Sequence, residues 1–192
     1  MKQIRRSNPS YFIFHLGVKH LNFIIDIYSH NCYTIIESEG YDMTKLQAIR
    51  WFGKMVLEED ITIARDKFST SNWGMDVIGK IPRIKTPKNL TYKSDLPDKM
   101  FRANFIERCP LAQGFSNVTL TLLHEFGHWA TRYVLDIVEY SKMNEKAYTM
   151  TAYMNIPWEH LATEWAICWL YSPVNRKIAK EFEKNYFGYG KE

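Results

Sequence analysis

The sequence predicts an α+β fold, and three observations predict it. β-branched and aromatic residues crowd the N-terminal stretch, glycine and proline break up the middle, and helix-start signals succeed one another from Ser116 onward. A chain of 192 residues, 46% apolar and 24% charged, can build one core and is too short for two large ones. Residues 1–192 are therefore expected to form one domain, with a β-hairpin and helix in 1–70, loops and an edge strand in 71–110, and a helical half in 111–192.

NFIIDIY (22–28) and CYTIIE (32–37) are strand-like, and the polar link Ser29-His30-Asn31 suits a hairpin turn. YFIFHLGV supplies a candidate third strand before them. With Asp42 or Thr44 as N-cap, TKLQAIRWFGKMVLEE sets Leu46, Ile49, Phe52 and Val56 at helical spacing. Residues 70–100 hold Gly74, Gly79, Pro82, Pro87 and Pro97, which predicts loops with one short strand near 77–84. MFRANFIERC (100–109) is read as an alternating strand, ended by Pro110 and Gly114. Ser116 or Asn117 then caps a long helix to about Tyr140. Pro157 opens another to about Tyr171, and Ser172-Pro173 starts the last.

Composition narrows the function classes. The net charge is +4, but the 25 basic residues are scattered among 21 acidic ones and only MKQIRR is locally basic, so no nucleic-acid partner is expected. Cys32, Cys109 and Cys168 form no CxxC pair, and their odd number argues against a disulfide framework and for a reducing compartment. YFIFHLGVKHLNFIIDIY is interrupted by Lys19, His20 and Asp26 and no cleavage site comes after it, so it does not read as a signal peptide. No run reaches the ~18 apolar residues of a membrane span. A cytoplasmic protein without a membrane partner is the expectation.

The chemistry concentrates in TLLHEFGHWA, residues 121–130. His124 and His128 are one helical turn apart, so their Cβ atoms lie about 6 Å from each other on one face and two imidazoles can meet one ion. Zinc accepts neutral imidazole and in catalytic sites takes three protein ligands, leaving a position for water. Glu125 sits about 100° round the helix from His124, which suits a general base reaching that water rather than the metal. The residues flanking the motif carry no charge, so the helix is expected to be buried, and buried histidines and glutamate need partners. A third ligand must come from elsewhere, because WATRYVLD after His128 contains no third histidine. PWEHLATEWAICWL offers Glu159, His160 and Glu164; Glu159, in the first turn of its helix, is the first choice.

HEFGH succeeded by Glu159-x-x-Ala162-x-x-Trp165-Ala166 resembles the ImmA/IrrE family of zinc peptidases, whose later helix carries ExxAxxFA; Trp165 stands where that pattern has Phe. The likeness covers about residues 116–171. It implies a zincin-like fold with a gluzincin-type site: His124, His128 and Glu159 on zinc, Glu125 as base. It also implies cleavage of a protein partner, such as a repressor controlling a phage, mobile element or stress response. HEFGH with a distant glutamate resembles the exported lethal-factor and Pro-Pro endopeptidase type as well, a branch that the missing signal peptide disfavours.

For such a reaction the oxyanion requires a further donor. Tyr133, Tyr148, Tyr153 and His160 are candidates among which spacing does not choose; Tyr153, shortly before Glu159, and His160 are put forward. Arg132 can contact a ligand or pair with Asp136 four residues on. The strand expected at 100–109 can receive an extended substrate by backbone pairing. Two other classes remain open: a catalytically silent protein that keeps zinc as a structural staple, and a small basic DNA-binding module, for which no motif is found.

Overall fold

The computed structural model describes residues 12–15, 22–25, 44–65, 73–88, 90, 99–134 and 155–188. Contacts divide the chain into two units, Met1–Tyr41 and Asp42–Glu192. In the first, β1 (Phe12–His15) pairs antiparallel with β2 (Asn22–Ile25), Phe12 opposite Ile25 and His15 opposite Asn22. The strand expected from YFIFHLGV is thus present and partners the one expected at 22–28. CYTIIE at 32–37 lies outside the described residues.

The second unit opens with α1 (Lys45–Leu57). Thr44 caps it reciprocally: its Oγ1 accepts from the Gln47 N–H at 3.3 Å, and its own N–H donates to Gln47 Oε1 at 2.8 Å. The helix buries Ala48, Ile49, Phe52 and Val56 and ends at Glu58, whose φ of 58° turns the chain. β3 (Thr62–Arg65), β4 (Gly74–Asp76) and β5 (Arg83–Thr86) form a sheet in the order β3-β5-β4. β5 is parallel to β3 and antiparallel to β4, with Met75 opposite Ile84, so among the described residues β4 is an edge strand. The short strand expected near 77–84 is corrected: residues 78–81 are the turn between β4 and β5, where Gly79 takes a φ of 142° that disfavours any side chain.

A larger correction concerns 100–109, which is not a strand. Lys99–Arg108 is a helix, α2. Its apolar residues fall one turn apart: Phe101 packs edge-on against Phe105 at 5.8 Å, and Phe105 and Cys109 are fully buried. Pro110 ends it and opens a 3₁₀ turn, Pro110–Gly114. Arg102 fastens α2 to the segment leading into the next helix by donating to the Phe115 carbonyl and Asn117 Oδ1, both at 2.7 Å.

α3 (Asn117–Ala130) starts at Ser116, whose Oγ accepts from the Thr119 N–H at 3.3 Å. Glu183 reinforces the cap, accepting from the Ser116 N–H and from Thr119 Oγ1, which favours the positive end of the helix. The expected extension to Tyr140 is also corrected. α3 stops at Ala130: past it the Arg132 N–H reaches the Trp129 carbonyl at 3.3 Å and the Val134 N–H the Thr131 carbonyl at 3.0 Å, each three residues back, while the Thr131 hydroxyl and the Arg132 guanidinium cover the Gly127 and Trp129 carbonyls at 2.7 and 2.6 Å. Residues 135–140 lie outside those described.

α4 (Pro157–Tyr171) and α5 (Pro173–Phe187) come next, as expected, separated by Ser172, which caps α5. The core centres on Phe52 of α1. It stacks on Phe182 of α5 at 4.3 Å and meets Phe126 of α3 and Trp169 of α4 edge-on at 5.9 and 6.0 Å. The architecture is α+β, mostly helical, with one three-stranded sheet in this unit. Among the described residues no helix is long and apolar enough to cross a membrane.

Candidate metal centre

Among the described helices, α3 and α4 make the most extensive contact. Their closeness has a local cause: a Cβ on Gly127 would stand 2.4 Å from the Ala162 carbonyl oxygen, so only glycine lets the backbones meet there. The glycine of HEFGH and the alanine of Glu159-x-x-Ala162 face each other across this crossing. It brings His124 and His128 on α3 against Glu159 on α4.

Glu159 Oε2 lies 2.9 Å from His124 Nε2 and 3.2 Å from His128 Nε2. One ligand atom from each of the three residues falls within 4.8 Å of the others. His124 is 4% exposed, His128 7% and Glu159 not at all. The imidazole rings stand nearly perpendicular, 4.7 Å apart, with Phe101 of α2 against His124 at 5.3 Å and Trp158 against His128 at 5.8 Å.

The group fits a metal ion by donor chemistry and spacing. Donors about 2 Å from a tetrahedral ion lie about 3.3 Å from one another, close to the two His–Glu159 separations of 2.9 and 3.2 Å. Burying them is unfavourable unless they share a charge, and a cation among them supplies it. The three side chains also interact with one another. Burial alone would raise the Glu159 pKa, but the hydrogen bonds and charges of His124 and His128 outweigh it and hold the carboxyl well below the usual range. Burial would likewise lower His128, yet Glu159 and Glu125 hold it above its ordinary value.

Glu125 is apart from this set and half-buried. Desolvation raises its pKa, and Glu159 adds to that, against the opposing effects of His128, His124 and a hydrogen bond from the Met75 N–H. Met75 is the middle residue of β4, so the carboxylate expected to serve as base lies near that strand.

The other candidates fall elsewhere. Glu164, an alternative third ligand, is ion-paired with Arg108 of α2, and His160 Nε2 lies 3.7 Å from Glu164 Oε1. Burial and Arg108 lower the His160 pKa. Tyr133 is 84% exposed beneath the Arg132 guanidinium, which also covers the Trp129 ring at 3.8 Å. Tyr148, Tyr153 and Asp136 lie outside the described residues. Thr163 joins the site without any sequence expectation: its hydroxyl lies 3.0 Å from His124 Nδ1. Its position one turn after Glu159 is the only signal the sequence holds for it. β4 is likewise unforeseen, because only long-range packing sets it beside α3.

Comparison of the chain with protein-family models, with curated proteins and with solved structures finds no match. The geometry of the centre is therefore the ground for its function.

Proposed function

We propose that the chain is a zinc-dependent metallopeptidase of zincin-like build, in which His124, His128 and Glu159 hold the metal and Glu125 is the general base. The observation that carries this reading is the convergence of three buried nitrogen and oxygen donors beside a fourth polar side chain, Glu125, that stays out of the set. A structural zinc site usually closes its fourth position with cysteine or histidine, whereas two histidines and one glutamate match the open sets of zinc hydrolases. Among the described residues neither free cysteine, Cys109 or Cys168, belongs to the group.

Bound zinc polarises a carbonyl and makes a water acidic enough to attack it near neutral pH. The remaining task belongs to Glu125, which takes the proton of the attacking water and hands it to the departing amine. Desolvation, which raises its pKa, makes its carboxylate a better base than a free glutamate. The edge strand suited to receive an extended peptide is β4, which replaces the strand expected at 100–109. A substrate adding to it passes Glu125. The resemblance to ImmA/IrrE peptidases extends the proposal to a regulatory protein of a phage or mobile element as substrate, cleaved in the cytoplasm.

Wild type and Glu125→Gln, expressed in the same cells, test this by mass-spectrometric comparison of newly formed protein N-termini. Loss of the general base is expected to slow cleavage about 10²–10⁴-fold, so new N-termini arise with wild type alone while both proteins retain zinc. Identical N-termini with zinc in both would replace the peptidase by a silent, zinc-stabilised binding protein.

A further inference from the structure

We infer that Thr163 is a positioning residue of this centre, one hydroxyl that sets the tautomer of His124 and references ligands from two helices to the same point. Thr163 is fully buried on α4, one turn after Glu159. Its Oγ1 donates to the Glu159 carbonyl at 3.0 Å. A hydroxyl has one hydrogen, so toward His124 Nδ1, 3.0 Å away, it accepts. Nδ1 must then carry the proton, and with Nδ1 protonated in the neutral ring the lone pair is on Nε2. That is the nitrogen on the Glu159 side, 2.9 Å from Oε2: it donates to the carboxylate while the ring carries both protons and offers its lone pair to an ion once that proton leaves. The same hydroxyl thus grips the ring of one ligand residue and the backbone of another, across the seam where Gly127 and Ala162 meet. A ligating imidazole whose second nitrogen is anchored keeps its orientation before the ion arrives.

The inference rests on the metal-site reading, and the variants separate the two. Thr163→Val keeps the shape and the helix but removes the acceptor; Thr163→Ser keeps the hydroxyl. Zinc affinity is read by competition with a chromophoric chelator. In the zinc-loaded protein the His124 ring N–H is read by NMR as a downfield, slowly exchanging resonance. Thr163→Val is expected to bind zinc about 10–100-fold more weakly and to lose that resonance, while Thr163→Ser matches wild type in both. Valine and wild type alike in affinity and resonance would overturn the role of Thr163 and leave the metal site standing. Serine as weak as valine would also overturn it, because the methyl group would then be what matters. A wild-type protein that binds no zinc would remove the metal reading and this inference with it.

Discussion

The α1–α5 seam and the α3–α4 seam are built on opposite rules. Between α1 and α5 the contact is large and apolar: Phe52 stacks on Phe182 with an interplanar angle of 13°, and Phe182 continues to Tyr186 at 5.3 Å. Between α3 and α4 the closest residues are small, Gly127 and Ala162, and His124, His128, Glu159 and Thr163 are buried beside them. Aromatic burial stabilises by area and by ring geometry. Buried polar groups do not, unless each finds a partner. The first seam therefore holds the fold, and the second uses that stability to keep ligands converging. α3 belongs to both, presenting Phe126 to Phe52 and its histidines to Glu159.

Substitutions that affect one seam and spare the other can break this division. Phe52→Ala has the largest expected effect, a loss of about 3–5 kcal/mol in urea unfolding, with the zinc affinity of the folded fraction unchanged. Weakened zinc binding in that fraction would show that the two seams are not separable. Gly127→Ala comes next. Its Cβ would lie 2.4 Å from the Ala162 carbonyl oxygen, and backbone cannot step aside as a side chain can. Overpacking of this kind destabilises by about 1–3 kcal/mol, and here chelator competition should also register weaker zinc, since α3 and α4 must part. Unchanged affinity would mean that the crossing does not set the ligand spacing. Ser116→Ala is the mildest, about 1 kcal/mol in a thermal or urea melt for a lost N-cap. Glu183 still accepts from the Ser116 N–H, so zinc binding should be untouched.

The contrast also explains what the sequence makes legible. Caps and helix starts are local, and Thr44, Ser116, Pro157 and Ser172-Pro173 mark α1, α3, α4 and α5 at their observed first turns. His124 and His128 share a face by helical period alone, and the choice of Glu159 over Glu164 rests on its place in the first turn. The structure brings Glu159 to the histidines and gives Glu164 to Arg108. Misreadings arise where two periods compete or tertiary contacts decide. Phe101 and Phe105 in MFRANFIERC satisfy a helical spacing that an apparent alternation masks. The end of α3 depends on Thr131 and Arg132 folding back onto its carbonyls. β4 beside Glu125 and the Thr163 hydroxyl on His124 are contacts between elements distant in sequence, which no local pattern announces.

The proposed metal centre consists of His124, His128 and Glu159, with Glu125 outside its ligand set. Zinc analysis of the purified 192-residue chain, its Glu125→Gln variant and its His128→Ala variant tests this. About one zinc per chain is expected in wild type and Glu125→Gln, with a large loss in His128→Ala. Wild-type protein free of zinc after zinc loading, or His128→Ala holding zinc as tightly as wild type, would contradict it.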